Sequence, residues 1–197
     1  MLNALWHNPT YRFLILFLGS FTFLYYLNIA FIGLVAPGNY YVPIFAEYCN
    51  YITGLRYCLM ESTAFVLRQF GEQVFTTDTW MRVSGRGGFI MAYDCLGFGV
   101  MSFFTAFVIA FPKPLKNKYF FLPTGLLFIQ ALNILRFILL GKFWKHSHLK
   151  QIIDHHDLFN IILYLSLMVV IYFWINNKIE TYEDIVRKQS IGVIPVS

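Results

Sequence analysis

Charge is what this sequence has least of. Only 13% of its 197 residues are Asp, Glu, Lys or Arg, against about a quarter in an ordinary soluble domain. Cysteine is scarce as well: three residues are too few for a disulfide-stapled scaffold. With 13 Gly and 7 Pro, neither a collagen-like repeat nor a Pro/Gly-rich low-complexity chain is possible. What fills the chain instead is apolar: 58% of residues are hydrophobic and 20% aromatic, including 22 Phe and 13 Tyr. Mean hydropathy is +0.59. Such a composition excludes disorder and an ordinary cytosolic enzyme, and fits one membrane-embedded domain spanning residues 1–197. The net charge of +5 does not imply nucleic acid. Lys and Arg are scattered between apolar blocks and form no basic face.

Four stretches are long and apolar enough to cross a bilayer as helices, at 12–36, 95–112, 119–141 and 157–177. The first lacks an Ala-x-Ala-like cleavage site after its core and reads as a permanent anchor. A fifth segment, 43–70, is apolar but carries Glu47, Arg56, Glu61 and Arg68. At helical periodicity Glu47, Asn50, Gly54, Glu61 and Arg68 share one stripe, with Arg56 on the opposite side. A surface-lying amphipathic helix is favoured there over a crossing with buried charges. Residues 73–94 change character. Their β-formers, divided by the turn signal Gly85-Arg86-Gly87-Gly88, predict a short β-hairpin outside the bilayer. Residues 178–197 are a polar tail. The expected fold is an all-α integral membrane bundle of four or five transmembrane helices, with that hairpin and amphipathic helix.

Arg12, Lys113, Lys116, Lys118, Lys178, Arg187 and Lys188 fall on one side of a four-span topology. Arg82, Arg86, Lys142, Lys145 and Lys150 fall on the other. The bias of seven to five favours cytoplasmic termini. Cys95 at the start of the second span, Arg136 near the end of the third, and His155 and His156 before the fourth then meet at the outer face. A thiol acts as a nucleophile when it is a thiolate, a form favoured by a helix N-terminus or a nearby cation. An imidazole can take and return its proton. A guanidinium can hold the oxyanion of a tetrahedral intermediate. Asn133 lies one turn before Arg136 on the same face. Gly97 and Gly99 are expected to leave room for a substrate backbone. With Ser102 they would allow close approach of a substrate helix. Cys49 and Cys58 read as packing residues. The cluster His146, His148, Asp154, His155, His156 and Asp157 permits a second reading, a metal-binding membrane enzyme or small transporter, though without a tight ligand spacing. A third is a non-catalytic membrane subunit held together by its polar residues.

The residues Asp94-Cys95-Leu96-Gly97, Asn133-Ile134-Leu135-Arg136 and His155-His156-Asp157-Leu158-Phe159-Asn160 occur in that order, each at the end of an expected span. This ordered set resembles the exosortase/archaeosortase family of multi-pass membrane cysteine transpeptidases. The chain looks like a short, core-only bacterial exosortase, with the likeness covering about 89–172. The resemblance implies Cys95 as nucleophile, Arg136 as oxyanion and substrate-orienting group, and a late histidine as acid/base. His156 is favoured by Asn160 four residues on, although many members have Gly there; His155, preceded by Asp154, is the alternative. It further implies no cofactor and no resident metal. The substrate would be an exported protein with a tripartite C-terminal sorting tail, cut by an extracytoplasmic site in the bacterial inner membrane. The hairpin could receive the recognition motif by strand addition.

Overall fold

The structure, a computed structural model, describes residues 8–36, 40–85, 87–143 and 155–176; the side chains of residues 143 and 155–160 lie outside that description. The first helix, α1 (Pro9–Val35), starts where its sequence allows. Asn8 accepts a hydrogen bond from the Thr10 backbone N–H at 3.0 Å, and Pro9 occupies the first helical position, where no N–H is needed. The segment expected as one amphipathic helix is two: α2 (Pro43–Tyr48) and α3 (Tyr51–Gln69). The break falls at Cys49 and Asn50 because the Asn50 side chain caps the new helix, accepting from the Thr53 N–H at 3.0 Å. The inner face of α3 follows helical spacing through Ile52, Arg56, Leu59, Met60, Thr63, Ala64 and Leu67. Glu61 and Arg68, 3.7 Å apart, stay outside. Cys49 and Cys58 are both exposed, so neither is a packing residue.

The expected hairpin is a three-stranded antiparallel sheet of β1 (Val74–Thr76), β2 (Trp80–Val83) and β3 (Gly87–Ile90), with β2 in the centre. Val74 pairs with Val83, and Met81 pairs with Thr76 on one side and Phe89 on the other. The side chains of Val74, Met81 and Val83 turn inward and are buried. Gly88 lies against the Trp80 ring, where a Cβ would come within 2.9 Å.

A 3₁₀ turn (Tyr93–Leu96) follows, then α4 (Phe98–Ala110) and α5 (Leu115–Phe143), and finally α6 (His155–Asn176). The second apolar run is therefore not one helix beginning at Cys95. Gly97 adopts φ +78° and separates the turn from α4. Three segments, Pro9–Val35, Tyr93–Ala110 and Leu115–Lys142, are long and apolar enough to cross a membrane, and Ile161–Asn176 is a shorter apolar helix.

Two apolar clusters set the ends of the bundle. At one end Phe104, Val108, Ile129, Leu167, Ile171 and Trp174 join α4, α5 and α6. Trp174 stacks on Phe121 with centroids 4.3 Å apart, and the Lys113 Nζ donates to its carbonyl while lying 4.7 Å from its ring. At Gly125 of α5 a Cβ would overlap the Phe104 ring, so the two helices meet there without a side chain between them. Along α1, the rings of Phe13, Phe17 and Phe21 stand edge-on to Phe103 and Phe107 of α4, with centroids 5.3 to 6.3 Å apart. At the other end Val35, Ile52, Leu67, Met81, Val83, Leu96 and Phe137 gather the end of α1, the inner face of α3, the sheet and the end of α5. Phe89 lies parallel on Phe137 at 5.6 Å. The sheet and α3 thus cap the end of the bundle at which α5 finishes and α4 begins.

Candidate active site

The short link between α4 and α5 makes them antiparallel neighbours, so the start of α4 meets the end of α5. There the Arg136 Nη2 lies 3.9 Å from the Cys95 sulfur. Arg136 is only 5% exposed and Asn133, one turn before it, 2%. An arginine this deep is not a charge snorkelling to a surface. Cys95 is half-buried on the 3₁₀ turn, its N–H bonded to the Ala92 carbonyl at 3.0 Å. Asp94 beside it is exposed.

A polar chain fixes this arrangement from below. The Asn133 Nδ2 donates to the Gln130 Oε1 at 3.1 Å, and the Gln130 Nε2 donates to the Leu96 carbonyl at 3.3 Å and approaches the Met101 sulfur at 3.0 Å. Gln130, Asn133 and Arg136 are spaced by three residues, so they occupy one stripe of an otherwise apolar helix. That spacing was a readable signal for Gln130, which the motif-based reading passed over. In a low-dielectric core each of these groups must be satisfied, so the chain orients α5 against the Cys95 turn.

Gly97 has a different task from the one expected of it. A Cβ there would come 2.7 Å from the Asn133 Nδ2, so its bare backbone makes room for Asn133 and not for a substrate. Gly99 faces the Tyr25 ring of α1, and Ser102 is buried against Asn28 of α1, accepting from its Nδ2 at 3.3 Å. The small-residue face of α4 is thus filled by α1. Asn28 in turn accepts from the Tyr51 hydroxyl at 2.8 Å. Partial desolvation of the hydroxyl raises the Tyr51 pKa from its ordinary value. Gly97→Ala should lower the unfolding free energy by about 2 kcal/mol or more, since it adds left-handed backbone strain to the clash with Asn133. Thermal unfolding in detergent checks this.

An apolar groove of about 520 Å³ remains open between α1, α3 and α4. It is lined by Leu24, Asn28, Tyr51, Leu55, Phe98 and Met101, among others. The residue sequence reasoning missed most clearly is Arg56. It is 7% exposed, and its guanidinium stands 4.7 Å over the Tyr93 ring, at the start of the turn that holds Cys95. Its position opposite the polar stripe of α3 was the available signal.

α6 starts at His155. Its Trp174 end is anchored beside Phe111 and Phe121. At about 1.5 Å per residue, α6 therefore runs antiparallel to α5 and brings its first turn to the Arg136 end. The side chains of His155, His156, Asp157 and Asn160 lie outside the described residues, as do His146, His148 and Asp154. Among the described residues no three His, Cys, Asp or Glu side chains form a metal-ligand group. Comparison with family models, curated proteins and solved structures finds no match.

Proposed function

We propose that the chain is a membrane-embedded cysteine peptidase or transpeptidase acting on the C-terminal tails of exported proteins. The observation that carries this reading is the contact of Cys95 with the buried Arg136, on a helix that the Asn133–Gln130 chain ties to the backbone of Leu96 next to Cys95. An arginine with a thiol neighbour in an apolar core is costly as scaffold and useful as chemistry. The Cys95 sulfur, its proton taken by His156 or His155, attacks the scissile carbonyl and forms a tetrahedral oxyanion beside Arg136. The C–N bond then breaks, the histidine returns the proton to the leaving amine, and a thioester remains on Cys95. An acceptor amine, or water, displaces the sulfur and releases the product.

Three apolar helices, with many large apolar side chains facing outward along α1 and α6, support insertion in a bilayer. The active-site end would face the exterior of a bacterial inner membrane. The apolar groove lined by Phe98 and Met101 then offers the tail segment a place to lie against the start of α4. The edge strands β1 and β3 offer backbone groups to an extended motif.

Mapping the C-termini of exported proteins tests the reading. Cells carrying the active chain should lose an apolar C-terminal tail from at least one exported protein. Cells carrying Cys95→Ala should keep it. An unchanged set of C-termini between the two contradicts the proposal.

A further inference from the structure

Arg56 is a buried cation without a described counter-charge. Its Nε is sealed from solvent and has no hydrogen-bond partner among the described residues. No ion pair joins it to a described carboxylate: Glu61 pairs with Arg68 on the outer face of α3, and Asp94 is exposed. A buried charge is tolerated in such a setting only with a partner of opposite charge. Its guanidinium lies 4.7 Å over the Tyr93 ring, a face-on contact that does not use its N–H donors. Tyr93 and Cys95 belong to one 3₁₀ turn. They pack with Leu55, the neighbour of Arg56, against the same buried cluster.

We infer that Arg56 is an anion subsite beside Cys95 that takes a carboxylate on the segment presented to the thiol. A carboxylate is planar and can accept two parallel N–H bonds from the edge of a guanidinium. The subsite makes acidic segments the preferred substrates, and it rests on the reading of Cys95 as the reactive thiol. Arg136 faces the sulfur itself, so the two arginines divide the work: one at the reacting carbonyl, one at a neighbouring acidic group.

Alkylation of the purified full chain tests this without any knowledge of the substrate. Iodoacetate and iodoacetamide differ in charge and little in size, and the rate at each cysteine is read by mass spectrometry. The exposed thiols Cys49 and Cys58 serve as references within the same molecule. The iodoacetate-to-iodoacetamide ratio should be higher at Cys95 than at either reference. In Arg56→Gln it should fall roughly three- to tenfold at low salt, and Arg56→Lys should retain most of it. The iodoacetamide rate at Cys95 reports whether the pocket survives each change. A wild-type ratio at Cys95 no higher than the references overturns the inference even if Arg56→Gln does not fold, as does an unchanged ratio in that variant. Repeating the wild-type measurement in micelles containing phosphatidylglycerol separates the sources of negative charge. Loss of the preference there assigns the subsite to a lipid phosphate and overturns the peptide assignment. A preserved ratio in a chain that leaves every exported C-terminus intact would keep the anion subsite while removing the peptidase reading.

Discussion

Cys95→Ala should abolish tail cleavage, a loss on the order of 10⁴-fold or more because no other group can form the covalent intermediate. The fold should survive. Cys95 is half-buried on a short turn whose position is set by backbone bonds and by Leu96, which is fully buried beside it. Removing one sulfur from such a place creates little cavity, so stability should change by less than about 1.5 kcal/mol. Monodisperse elution and an unfolding midpoint near that of the unaltered chain, together with complete retention of tails in cells, are the expected results. A scaffold role predicts the reverse: graded loss of folded protein, and no selective loss of cleavage.

Arg136→Gln should have the second largest effect. A guanidinium placed at a developing oxyanion contributes about 3 kcal/mol, so kcat should fall roughly 10²- to 10³-fold with a smaller change in KM. Arg136→Lys should recover only part of that. Lysine keeps the charge but loses the fixed fork, and its shorter reach leaves the 3.9 Å contact with sulfur unmade. The split between kcat and KM is the informative measurement. If Arg136 merely braced the bundle, both variants would lower the amount of folded enzyme and leave kcat per folded molecule unchanged.

Much of this arrangement could be read from the chain. Apolar runs of helical length, the third interrupted only by Arg136, mark the three segments long enough to span. Their antiparallel succession is sufficient to bring the residues before α4 to the end of α5, which is why Cys95 and Arg136 could be paired without any knowledge of contacts. The details that escaped have local causes. A glycine inside an apolar run is silent about its φ, so the break at Gly97 and the 3₁₀ turn carrying Cys95 were invisible. Strand β3 holds two of its four residues as glycine, which makes a strand look like part of a turn, and so a three-stranded sheet read as a hairpin. Small residues announce that something comes close but not what: Gly97 receives Asn133, and Gly99 and Ser102 receive α1. Residue type points Cys49 and Cys58 inward, but Cys49 falls in the break between α2 and α3 and Cys58 on the outer face of α3, and both are exposed. Arg56 carried a legible hint in its position opposite the polar stripe, but only packing could reveal that the sealed side of α3 faces the turn of Cys95.

The most direct measurement is the state of Cys95 during turnover. An exported protein found to lose its tail is co-expressed with the chain, the reaction is quenched in acid, and the peptide containing Cys95 is analysed by mass spectrometry. A thioester adduct should be found on Cys95, matching the substrate up to the cleaved bond and removed by neutral hydroxylamine. Continued tail loss with an unmodified Cys95, and with Cys95→Ala still cutting, would contradict the assignment of this sulfur as the nucleophile.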